Sequence, residues 1–145
     1  MENTQINLKT QKLKLDFKDS KYANGRRKTS IAKVWLKKGS GKIYVNGKMF
    51  SEYFVNDNHK MQITRPFELI KQPTEYDVRC HVKGGGPTGQ AGAMVHGISK
   101  ALVMFDENLK STLKSEKLTT RDSRAVERKK PGRKKARRSF QFSKR

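Results

Sequence analysis

Cysteine is almost missing from this chain: Cys80 is the only one in 145 residues. A disulfide framework and a cysteine-based zinc site are thereby excluded. Long apolar runs are missing as well. Hydrophobic residues make up 33% of the chain, and no stretch reaches the roughly 18 consecutive apolar residues of a membrane-spanning helix. Acids are scarce, 13 Asp and Glu against 34 Lys and Arg, and the formal net charge is +21. Those few acids form no pairing suited to general acid–base work. His59, His81 and His96 stand too far apart to make a metal-ligand pair. What is left is a chain of one domain with a thin core. Its excess of positive charge calls for a polyanion, either nucleic acid or an anionic membrane surface.

The charge is unevenly spread. Residues 1–20 hold four Lys and three acids, net +1; residues 21–120 are net +10; residues 121–145, with 12 cations and two acids, are also net +10. After Glu127 there is no acid at all. A segment of this kind repels itself and buries almost nothing, so it is expected to be extended until an anionic partner orders it. A membrane-active basic helix is disfavoured there, because Pro131 and Gly132 interrupt it. At the other end, Leu8, Leu13, Leu15 and Phe17 are scattered among polar residues. The stretch has no apolar h-region and no Arg, unlike a secretory signal or a mitochondrial transit peptide. Residues 1–21 read as a disordered N-terminal extension, 22–127 as a globular α+β domain, and 128–145 as an extended basic tail.

Within the middle region, Thr29 to Leu36 reads as a strand with Ala32, Val34 and Leu36 on one face. Gly39-Ser40-Gly41 forms a turn, and Ile43 and Val45 continue as an antiparallel partner closed by Asn46-Gly47. Ser51 to Phe54 opens a short helix. Met61 to Ile70 contains Pro66, near which any helix is expected to restart. Tyr76 to Lys83 alternates cleanly, with Tyr76, Val78, Cys80 and Val82 on one side, which makes Cys80 a core residue rather than a nucleophile. Ala91 to Phe105 carries Met94, Ile98, Leu102 and Phe105 on one helical stripe. Asp106 to Lys114 reads as a second helix and Leu118 to Val126 as a returning strand. The order gives a small α+β domain with its helices on one face of the sheet.

Gly84, Gly86 and Gly89 match GxGxxG between a strand and a helix, the context of a dinucleotide site. The match fails on its surroundings. Glu107, at about the right distance for a ribose contact, lies in helical pattern, and no second mononucleotide-binding half follows. The related phosphate-loop pattern fails at Gln90-Ala91, where Lys and Ser or Thr are required. No cofactor, small-molecule substrate or catalytic constellation is implied. The physics of the loop remains available to another anion: glycines permit close backbone approach, and a helix N-terminus offers free N–H groups to a phosphate.

Three blocks, GRRKTSIAKVWL at 25–36, GGGPTGQAGAMVHGISKAL at 84–102 and TRDSRAVERKKPGRKKARRSFQFSKR at 120–145, together resemble the ninth protein of the small ribosomal subunit in its bacterial and organellar form. The resemblance covers residues 22–145; the departures are the N-terminal extension and Pro131. It implies a four-stranded sheet with helices packed on it and a left-handed βαβ crossover, where general rules favour the right hand. It also implies a place in the head of the small subunit, on small-subunit ribosomal RNA and beside neighbouring head proteins. The compartment is a bacterial cytoplasm or an organelle such as the mitochondrion. The tail tip is implied to reach the anticodon stem-loop of tRNA in the peptidyl site.

The residues give such contacts a physical basis. Arg128 to Arg145, fully extended, spans at most about 60 Å. Its cations Arg128, Lys129, Lys130, Arg133, Lys134, Lys135, Arg137 and Arg138 can neutralise crowded phosphates. Phe140 and Phe142, with no core nearby in sequence, suit stacking on bases or anchoring on a neighbouring protein. Ser143, Lys144 and Arg145 are assigned to tRNA, where contacts to phosphate carry no sequence information and accept every tRNA alike. Arg26, Arg27 and Lys28 form a second RNA-binding cluster. Lys83, Gly84, Gly85, Gly86, Gln90 and Lys100 form a third. Arg121 and Arg124 are further RNA candidates, although Asp122 and Glu127 beside them invite pairs within the chain.

Overall fold

The computed structural model describes residues 19–71 and 75–143. The readings made for residues 1–18, and for Lys144 and Arg145, lie outside them. Five strands form one mixed sheet in the order β1-β2-β5-β3-β4, with β1 Lys21–Arg27, β2 Ser30–Lys38, β3 Ile43–Val45, β4 Lys48–Met49 and β5 Tyr76–Lys83. Among the described residues the helices are α1 Phe50–Tyr53, α2 Asp57–Leu69, α3 Pro87–Phe105 and α4 Leu109–Ser115. The architecture is α+β as expected, with one strand more than the four implied by the resemblance, because the two-residue β4 completes a hairpin at the edge.

Period-two alternation decides which face is covered. Ala32, Val34 and Leu36 of β2 are buried, as are Val78, Cys80 and Val82 of β5 and Ile43 and Val45 of β3. Their neighbours in sequence point away from the helices. Against this face lies α3, whose Met94, Ile98 and Leu102 are fully buried, while Phe105 is half-buried at its end. Ile63 and Phe67 of α2, with Phe54 and Leu113, complete the core. Burial pushes the Cys80 thiol well above its ordinary range, so it behaves as a small apolar side chain.

Several expectations need correction. The strand Lys21–Arg27 was not anticipated, since KYANGRR carries only Ala23 and Gly25 toward the core and shows no apolar alternation. Arg26 and Arg27 therefore belong to β1 rather than preceding the first strand. β3 is not the antiparallel partner of β2. It runs parallel to β5, with Ile43 opposite Val78 and Val45 opposite Cys80, while β2 pairs with β1 and β5. A parallel pair needs a crossover, here β4, α1 and α2. Asn46-Gly47 does close a hairpin, between β3 and β4, with φ of 50° and 87°, as the turn chemistry predicts. Pro66 does not restart a helix. It sits within α2 and is buried beside Ile63 and Phe67, and that burial offsets the hydrogen bond it cannot donate. α3 starts at Pro87, a proline suited to a first turn, rather than at Ala91. Residues 118–126 form no strand.

Candidate nucleic-acid interface

The turn between β1 and β2 brings together two of the basic clusters. Lys28 stands in it with φ 51°, exposed. Ser30, the first residue of β2, faces inward and is 1% exposed. Its hydroxyl donates to the Gly84 carbonyl at 3.0 Å. Gly84 and Gly85 both take positive φ, and a Cβ on Gly85 would lie 2.2 Å from the Ser30 Oγ. The glycine loop is thus drawn tight against the β1–β2 turn, a fit only residues without Cβ allow. Arg26, Arg27 and Lys28 consequently share one end of the sheet with Lys83, Gly84, Gly85 and Gly86, though sequence separates them by more than 50 positions.

Gly86 caps α3 without a side-chain hydrogen bond and is exposed, with open space where a Cβ would stand. Gln90, half-buried on the first turn of α3, is held twice: its amide donates to the Gly84 carbonyl at 3.2 Å, and its carbonyl accepts from the Tyr53 hydroxyl at 2.8 Å. Gln90 therefore braces the loop against α3. Lys100 lies apart, further along α3. Its ammonium donates to the backbone carbonyl and side-chain oxygen of Asn24, at 3.1 and 3.0 Å, so it ties the helix to β1.

The C-terminal segment leaves from the same end. Arg27 donates to the Arg124 carbonyl at 2.7 Å and pairs with Asp122 at 3.0 Å. Asp122 also binds Arg124, at 2.8 Å between the terminal atoms. The Arg124 hydrogen bonds, then the charges of Arg124 and Arg27, hold the Asp122 carboxyl well below the usual carboxylate range. Arg124 is therefore partly neutralised by the neighbouring acid, as the sequence foretold, and Arg27 reaches the same acid from a distant strand. Arg121 is exposed.

From Ser123 to Ser143 no helix or strand forms, and every residue except Ala136 is exposed. The segment does not run straight. Glu127 receives Lys130 at 2.7 Å and Arg137 at 2.9 Å. Gly132 turns with φ 73°, at the Pro131-Gly132 signal. Arg133 donates to the Arg137 carbonyl, the Lys134 N–H to the Arg138 carbonyl, and the Lys134 ammonium lies 5.8 Å from the Phe140 ring centre. Arg128 bonds the Lys129 carbonyl, while Lys129, Lys135 and Arg138 point into solvent. Phe140 and Phe142 are 60% and 85% exposed, and Ser143 is exposed beside them. Dense cations and bare rings of this kind can bind phosphate and stack on bases.

The family model of ribosomal protein S9/S16 matches residues 25–145. The chain belongs to that family. It is therefore a structural ribosomal protein that serves translation, in a family that is not a class of enzymes. The match begins within β1 and takes in the glycine loop, α3 and the whole basic C-terminal segment. Among the described residues, no helix is long and apolar enough to cross a membrane.

Sequence reasoning overlooked three residues of this S9/S16-family site. Ser30 was readable as a polar residue at an inward strand position. Asn46 was seen only as a turn residue, yet its side chain accepts from the Val82 N–H at 3.0 Å and donates to the Val82 carbonyl at 3.1 Å, fixing the hairpin to β5. Tyr53, which braces Gln90, carried no signal.

Proposed function

We propose that this S9/S16-family protein is a constituent of the small ribosomal subunit, bound to small-subunit ribosomal RNA in the head, with its C-terminal tail reaching the anticodon stem-loop of peptidyl-site tRNA. On this reading residues 22–127 are the domain seated on RNA, 128–145 the tail, and 1–21 an extension. The crossover between β3 and β5 takes the left hand of the family. Lys144 and Arg145, with Ser143, meet tRNA phosphates.

The observation that carries the reading is the convergence at one end of the sheet. The β1–β2 turn, the glycine loop and the root of the tail meet there through Ser30–Gly84 and Arg27–Arg124, so cations from three distant blocks of sequence form one surface. Neutralising closely spaced phosphates releases counterions and gives affinity without sequence preference. The N–H groups at the start of α3 and the backbone of Gly84 to Gly86 supply uncharged donors for the same phosphates.

The test is co-sedimentation with small and with large subunits at rising salt. Preferential retention on the small subunit, weakening as salt rises, is expected. Equal retention on both subunits, or none on the small one, would contradict the proposal.

A further inference from the structure

The sheet face turned away from the helices has no layer upon it among the described residues. Strand registers align its side chains in rows. Tyr22 of β1 stands opposite Trp35 of β2, Trp35 opposite Arg79 of β5, and Arg79 opposite Tyr44 of β3. With strands about 4.8 Å apart, this row is about 14 Å long. Tyr22 is 45% exposed, and its ring centre lies 5.3 Å from that of Trp35. The neighbouring rows bring Lys33 opposite His81 and Ile31 opposite Lys83. Ile31 is 41% exposed, an apolar residue open to solvent among cations.

Three cations of this face are left without an acid. Among the described residues, Lys33, Arg79 and Lys83 have no acidic partner. The acid on the same side of β5, Asp77, is occupied by the N–H groups of Ser40 and Lys42, each at 2.9 Å. The cations at the tail root, by contrast, are paired within the chain. One exposed ring, Tyr22, beside the half-buried rings of Trp35 and Tyr44, flanked by unpaired cations, makes a pattern that receives unstacked bases with their phosphates.

We propose that this open face is a second RNA-binding surface, on which an unpaired RNA strand stacks along the row of Tyr22, Trp35, Arg79 and Tyr44 with its phosphates on Lys33 and Lys83. An acidic protein segment would use the cations but leave the rings idle. The N-terminal extension, at net +1 over residues 1–20, does not complement the charge. The proposal rests on the RNA-binding reading and adds to it a surface and a preference for single strands.

Trp35 is the sole tryptophan of the chain, so its fluorescence reports this face alone. The full-length protein is titrated with a mixed-sequence 12-nucleotide RNA and with a duplex of the same length, total binding being followed separately by filter retention. Single-stranded RNA is expected to quench Trp35 to saturation, and duplex RNA to bind without quenching. Arg79→Ala and Tyr22→Ala are each expected to shift the single-strand quenching midpoint about tenfold while leaving duplex retention unchanged. Retention of single-stranded RNA with unaltered Trp35 emission overturns the second surface and leaves the tail reading standing. Equal quenching by duplex overturns the stacking. Absence of any RNA retention overturns both readings.

Discussion

At the scale of single residues, close backbone approach governs this fold. α3 crosses β1 at Gly25 and Gly97. A Cβ added to Gly25 would lie 1.9 Å from the Ala93 carbonyl oxygen and 2.4 Å from the Gly97 nitrogen. Backbone cannot yield as a side chain can, so Gly25→Ala is expected to destabilise by about 3 kcal/mol, read as a lower urea midpoint at unchanged slope. An unshifted midpoint would mean that α3 stands further from β1. His96 gives a second prediction. It is half-buried and its Nδ1 accepts from the Arg26 N–H at 3.2 Å, which requires the neutral ring. Burial, then the charges of Lys100 and Arg121, lowers its pKa from the ordinary 6.5, against an opposing backbone hydrogen bond with Thr119. The folded pKa lies below the unfolded one, so the unfolded chain takes up the proton first. The stability contributed by neutral His96 is whole above pH 6.5 and is lost as pH falls from there through the lower folded pKa. The melting temperature should therefore drop more between pH 7.5 and 5.5 in the native chain than in His96→Gln. Equal drops would contradict it.

At the scale of elements, what sequence made legible was set by periodicity. β5 and α3 were readable because Tyr76 to Val82 alternate without exception and Met94, Ile98 and Leu102 recur every four residues. β1 was hidden because its inward residues are Ala23 and Gly25, small for the very reason that α3 lies so close. The partner of β3 was illegible for a different reason: a three-residue strand after a turn looks the same whether it folds back on β2 or crosses over to β5. Only long-range contact decides, and Asn46 supplies part of it. Asn46→Gly removes the two hydrogen bonds to Val82 yet keeps the positive φ, whereas Asn46→Ala loses both. We expect the glycine variant to lose about 1–2 kcal/mol and the alanine variant about 1 kcal/mol more, in urea denaturation of each. Equal losses would mean that the left-handed turn costs nothing here. Pro66 shows the reverse case, a strong local breaker tolerated because its ring is buried.

At the scale of the whole molecule, charge placement was legible and charge pairing was not. The sequence located the dense run after Glu127, but nothing in it revealed that Arg27 holds the root of that run through Asp122 and the Arg124 carbonyl, or that Glu127 gathers Lys130 and Arg137. Both acids that precede the run are thereby used inside the chain, and Phe140 and Phe142 are left outward. On the proposed reading the tail tip touches tRNA while the rest of the protein sits on RNA of the subunit. The most direct measurement is the affinity of peptidyl-site tRNA for small subunits assembled with a chain lacking Ser143 to Arg145. Removing two cations and a hydroxyl is predicted to weaken tRNA binding by about tenfold, one to two phosphate contacts' worth, with subunit assembly unchanged. Unchanged tRNA affinity in fully assembled subunits would contradict the account.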